Sequence, residues 1–143
     1  MTVEDRVHLR RQEEILDSNW NYIDVLLLAL SYLPKGTTTL KADTREWNRI
    51  ISAVKHGLQD QPPELLAEVH FELRPPLPPH SEQLDEFFKL AGISGKLTTS
   101  PDYKTFYISE ATKTQIQARR EQKLSQHIPQ IRAISVHLQE LVV

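Results

Sequence analysis

Between Trp20 and Leu33 apolar residues fall on nearly every side of a helical wheel: Trp20, Tyr22, Ile23, Val25, Leu26, Leu27, Ala29, Leu30 and Leu33. Only Asn21, Asp24 and Ser31 interrupt them, on one narrow stripe. A helix of this kind belongs at the centre of a core, because no face of it is suited to water. Asp17-Ser18-Asn19 supplies N-cap residues ahead of it, and Pro34-Lys35-Gly36 stops it. Asp24 then reads as a carboxylate at the solvent edge of the stripe rather than as a buried functional acid.

A cleaner one-sided pattern follows. Trp47, Ile50, Ile51, Val54 and Leu58 keep i, i+3, i+4, i+7, i+11 spacing, with Asp43 as cap and Glu46 in the capping-box position. Gly57 is placed to end that helix. Thr37-Thr38-Thr39-Leu40, just upstream, is rich in β-branched residues and predicts a short extended segment. At the N-terminus, residues 3–16 carry sparse apolar points (Val7, Leu9, Ile15, Leu16) and predict a peripheral helix.

From Pro62-Pro63 the pattern changes. Glu64 to Ala67 extends as helix, after which Ala67, Val69, Phe71 and Leu73 alternate with polar residues, as a half-buried strand does. Arg74-Pro75-Pro76-Leu77-Pro78-Pro79 excludes regular helix and central strand and predicts a stiff connector; a ligand for a proline-recognition domain is the other reading. Ser81 caps a further helix with Leu84, Phe87, Phe88 and Ala91 on its inner face and Gly92 past its end. Lys96–Thr99 and Thr105–Ser109 then predict a hairpin turning at Ser100-Pro101-Asp102-Tyr103, with Leu97, Phe106 and Ile108 inward.

After Ser109 the pattern predicts a long helix to about His127, which Pro129 kinks or restarts. Leu124, Ile128, Ile131, Leu138 and Val142 fall on 4-3 spacing, interrupted by Ser135. That seam suits a dimer interface or packing on the chain's own core.

The 143 residues fit one domain with a real core. With no cysteine, disulfides, thiolate metal sites and thiol nucleophiles are excluded. The longest apolar run, Val25 to Leu30, is far short of the ~20 residues a bilayer needs. An acidic start at Met1–Asp5, and no apolar run after Arg10-Arg11, predict no signal peptide and a cytoplasmic location. A net charge of −2 argues against a general polyanion binder. Charge is unevenly placed, however. Acids dominate from Asp60 to Glu86, and cations (Lys113, Arg119, Arg120, Lys123, Arg132) dominate after Glu110, so the two groups are expected to pair within the chain or across a dimer.

No nucleophile elbow, phosphate-cradling glycine loop or helical zinc motif is present, and the histidines at 8, 56, 70, 80, 127 and 137 lack ligand spacing. His80-Ser81-Glu82 only superficially suggests a base and nucleophile, since adjacent side chains rarely converge. The sequence therefore predicts a non-enzyme with no cofactor and no metal.

The phrases "GTTTLKADTREWNRII" and "SEQLDEFFKLAGISGKLTTSPDYKTFYIS", in this order of elements, resemble the winged-helix family over roughly residues 20–115. In that family a helix ending in a Leu-x-x-x-Gly-like phrase leads straight into the wing strands, and Phe88-Lys89-Leu90-Ala91-Gly92 before the hairpin is similar. The resemblance implies a regulatory module with duplex DNA as a partner, contacted through wing and helix. Candidates for that contact are Lys89, Lys96, Tyr103, Lys104, Lys113, Arg119, Arg120 and Lys123. It also implies a homodimer through the terminal helix, at Leu124, Ile128, Ile131, Leu138 and Val142.

Two departures weigh against DNA reading. Asp60–His80 separates helices that the family joins by a tight turn. Glu82, Asp85 and Glu86 also stand against a single Lys89 on the helix that would enter the groove, where phosphates repel carboxylates.

The expectation is thus a mainly α single domain with a small antiparallel β-hairpin, winged-helix-like in order. Residues 1–17 form a peripheral helix, 18–109 the core and 110–143 the long terminal helix. The function expected is a regulatory or interaction module; the alternative is a protein–protein adaptor without nucleic-acid affinity.

Overall fold

The computed structural model describes residues 20–58 and 65–143, so the expected helix over 3–16 lies outside the described residues. The chain is mainly helical with a small antiparallel sheet. In order, the elements are α1 (Tyr22–Ser31), β1 (Thr39–Lys41), α2 (Thr44–Leu58), α3 (Glu82–Ile93), β2 (Thr98–Thr99), β3 (Thr105–Tyr107), α4 (Glu110–Arg120) and α5 (Ile128–Leu138). Short 3-10 turns at Ser125–His127 and Gln139–Leu141 flank α5.

Helix α1 is central, as its all-round apolar surface requires. Val25, Leu28, Ala29 and Leu30 are wholly buried, and α4 and α5 pack against it. Its cap is not in the Asp17–Asn19 cluster but at Asn21, whose side chain accepts from the Ile23 and Asp24 amides. Asp24 answers by accepting from the Asn21 N–H at 3.2 Å, closing a capping box.

The sheet order is β1-β3-β2, both pairs antiparallel, with Leu40 opposite Phe106 and Thr98 opposite Tyr107. Leu97, Phe106 and Ile108 point inward as the alternation predicts. The outer edge of β1 is covered by the chain's own end. Val142 bridges Leu40, and the Val143 N–H donates to the Thr39 carbonyl at 3.3 Å.

Trp47 joins three elements. Its Nε1 donates to the Lys41 carbonyl at 2.7 Å, and its ring meets Phe88 of α3 and Phe106 of β3 edge-on, at 5.1 and 5.9 Å between centroids. Each such aromatic pair contributes about 0.5–1.5 kcal/mol beyond the area it buries. The indole N–H finds its partner in the backbone, so the buried polar group carries no penalty.

Several boundaries differ from the sequence expectation, each for a local reason. Gly92 lies inside α3, which continues to Ile93; Gly95, at φ 74°, ends it, because only there does the chain need a left-handed residue. The single terminal helix is two. Helix α4 stops at Arg120, a 3-10 turn follows, and α5 starts with Pro129 in its first turn, where the missing N–H costs nothing.

The alternation over 67–73 gives no ladder either. Val69 is buried and Phe71 half-buried, but Ala67 and Leu73 are exposed, and a lone bridge pairs Glu72 with His80. That bridge closes the proline-rich segment into a surface loop, whose turn is held by the Leu77 N–H on the Arg74 carbonyl at 2.7 Å.

Candidate functional site

Two surfaces carry the residues singled out by the sequence. The first is the outward face of α3, whose placement depends on its N-terminus. Ser81 is fully buried; its hydroxyl accepts from the Leu84 N–H, and its own N–H donates to Asn48 Oδ1 at 2.7 Å. Asn48 in turn donates to the Thr44 carbonyl at 2.7 Å. This buried amide on α2 fixes where α3 begins. Nothing in the residue pattern marks it, because an Asn beside a polar face carries no periodic signal. The same geometry removes the His80-Ser81-Glu82 reading, since the Ser81 oxygen is committed to the cap.

Beyond the cap, Glu82, Asp85, Glu86 and Lys89 are exposed on α3. His80 Nε2 lies 3.0 Å from Asp85 Oδ2, and Glu86 Oε2 accepts from the Tyr22 hydroxyl at 2.9 Å. Burial, reinforced by the Glu86 hydrogen bond, pushes the Tyr22 phenol well above its ordinary pKa, so it remains a donor. At the far end of the helix Leu90 and Ile93 are exposed, Ile93 by 75%. The face therefore runs from carboxylates to an apolar tip.

The second surface is the hairpin with α4. The turn is built by polar caps: Ser100 Oγ and the Lys104 N–H both donate to Asp102 Oδ1, at 2.5 and 3.1 Å, which holds the Asp102 carboxyl below its usual range. Tyr103 sits at the tip with φ 60° and is exposed, as is Lys104.

The cations expected to line this surface divide sharply. Lys113 is only 3% exposed; its Nζ donates to the Pro34 and Thr37 carbonyls at 3.3 and 2.6 Å and to Glu110 Oε1 at 3.0 Å. It is a clip on the α1–β1 connection and is not available to a phosphate. Arg120 is likewise held inward, its Nε donating to Asp24 Oδ1 at 2.9 Å. Asp24 is thus a largely buried partner for Arg120 rather than a solvent-edge carboxylate.

Lys96 and Arg119 remain turned outward and line, with part of Arg120, one groove of about 350 Å³ between the α3–β2 junction and α4. Lys123 is half-buried nearby in sequence, and Lys89 lies exposed on α3. No C-terminal cation pairs with the acids of 68–86 among the described residues. The ion pairs there are Lys113–Glu110, Arg120–Asp24 and, from α2, Arg49–Glu140.

The terminal seam is folded inward. Leu124, Ile131 and Leu138 are wholly buried against the chain's own core, while Ile128 and Val142 pack partly on it. Ser135, which interrupts the spacing, is buried as well. These side chains are off the surface because α1 must be covered on the side that α4 leaves open.

Among the described residues no cluster of three or more His, Asp or Glu side chains is placed to hold a metal, and no helix is long and apolar enough to cross a membrane. No protein-family model matches the chain, and neither curated proteins nor solved structures include a significant match to it.

Proposed function

We propose that this chain is a non-catalytic interaction module of winged-helix type whose third helix receives a protein rather than the DNA major groove. Support for the fold relationship comes from the element order α1-β1-α2-α3-β2-β3 with strand order β1-β3-β2, closed by a helix after the hairpin.

The observation that carries the functional reading is the outer face of α3. Glu82, Asp85 and Glu86 stand exposed against one lysine, and Leu90 and Ile93 form an apolar tip. Carboxylates facing a phosphate backbone repel it, and the base edges of a groove call for Arg, Lys, Asn or Gln instead. An apolar patch flanked by charge is the kind of surface through which proteins recognise one another. The matching partner surface is cationic opposite Glu82, Asp85 and Glu86 and apolar opposite Leu90 and Ile93. Two of the expected phosphate contacts, Lys113 and Arg120, are also occupied inside the fold.

Fluorescence anisotropy with a mixed-sequence duplex at low ionic strength tests this. No binding attributable to α3 is expected, and Lys89→Ala should leave the titration unchanged. Tight, salt-sensitive binding that Lys89→Ala weakens overturns the reading and restores a DNA-reading regulator.

A further inference from the structure

We infer that the groove between the α3–β2 junction and α4 binds the phosphate group of a small phosphorylated ligand, with Lys96 and Arg119 as the cations that hold it. The inference is independent of how α3 is used.

Three local features bring these residues together. After α3 the left-handed Gly95 turns the chain back, and the Lys96 N–H returns to the Ala91 carbonyl at 3.0 Å, which fixes Lys96 at the groove's edge. Arg119 lies in the last turn of α4, next to Arg120, which forms the inner wall. Arg120 cannot swing away, because Asp24 holds it from the side of α1. Thr112 and Gln115 supply the polar remainder of the lining, and Ile116 its apolar floor.

Charge is what selects the ligand class. Lys96 and Arg119 are in no ion pair among the described residues, and no described carboxylate lines the groove. Asp24 is mostly spent on Arg120, and the nearby Glu121 accepts from the Tyr32 hydroxyl at 2.9 Å. Unlike the isolated lysines of the surface, then, two unneutralised cations share one concavity with a third behind them. Its volume lies near the lower end of the roughly 300–1,000 Å³ typical of ligand pockets. Guanidinium donors in a fixed fork match phosphate oxygens, and such charge-assisted bonds are stronger than neutral ones.

The test is an amide-detected NMR titration with inorganic phosphate and, separately, with a small phosphate monoester, each against chloride at equal ionic strength. Expected are saturable shifts confined to residues 94–97 and 112–120, larger for the ester if it fills the groove. Lys96→Ala or Arg119→Ala should each weaken binding about tenfold, the size of one lost charge-assisted bond. Both side chains are outside the core, so their variants keep the wild-type spectrum elsewhere. Shifts no larger than those with chloride, or binding unaffected by the double variant, overturn the proposal. So does a duplex that moves the same amides while both phosphate probes leave them in place.

Discussion

Arg120 and Asp24 meet across 96 positions of sequence, Nε to Oδ1 at 2.9 Å, and so tie the end of α4 to the first turn of α1. Both side chains are largely out of water, 15% and 18% exposed. Arg120 Nη1 is buried with no hydrogen-bond partner among the described residues, which leaves Asp24 as the group that offsets its charge. A pair in this setting is worth little relative to an apolar replacement, but removing one member alone is costly. Asp24→Ala should therefore lower stability by about 2–4 kcal/mol, part of it from the lost capping box at Asn21. Urea denaturation of Asp24→Ala, Arg120→Met and the double variant checks this; the double variant should lose clearly less than the sum of the singles.

Lys113 makes the same kind of argument for the α1–β1 connection. Three oxygens, from Pro34, Thr37 and Glu110, surround one ammonium that is almost wholly buried. Lys113→Met keeps the stem but orphans the two carbonyls, and a cost of about 2–4 kcal/mol follows from their lost partners. Thermal unfolding measures it. Hydrogen exchange should also locate the loosening at 34–41 rather than at the hairpin.

Glu110 gives that connection a pH dependence. The Gly36 N–H donates to its Oε1 at 2.8 Å and Lys113 donates as well, so its carboxyl is held below the ordinary value of 4.5. A carboxyl depressed by folding contributes stability that is present above the unfolded-state pKa. It is lost as pH falls through the lower folded-state value. Carboxyl-detected NMR should find the Glu110 midpoint below 4.5, and Glu110→Gln should flatten the acid limb of the stability profile without altering its alkaline side.

The terminal seam separates a fold role from an oligomer role. Ile131 and Leu138 are wholly buried within one chain. Ile131→Ala and Leu138→Ala should each cost about 2–5 kcal/mol in unfolding, the ordinary penalty for emptying a core site. Sedimentation velocity should show no change in assembly state for whatever fraction stays folded. A dissociating dimer with unchanged unfolding would return these residues to an interface.

Much of the fold could be read directly. The all-round apolar Trp20–Leu33 segment demanded a central helix, the spacing from Trp47 to Leu58 a one-sided one, and the turn at Ser100–Tyr103 a hairpin with Leu97, Phe106 and Ile108 inward. These are consequences of periodicity and local turn chemistry, which act within a few residues of sequence. Where neighbours compete, as at Gly92 and Gly95 or across Arg120–Pro129, the pattern permitted more than one boundary and packing selected among them.

The site was far less legible, because charge carries no periodicity. Sequence presented Lys96, Lys113, Arg119 and Arg120 as equivalent cations near one hairpin. Only the folded chain distinguishes them, burying Lys113 among carbonyls and Arg120 against Asp24 while Lys96 and Arg119 still face a groove. Likewise an apolar seam states that something must cover it, and not whether that surface belongs to the same molecule. Local sequence thus determined which segments coil and which extend. Long-range contact decided which charges are neutralised and which remain for a ligand, since a partner dozens of residues away leaves no mark on the pattern around the residue it binds.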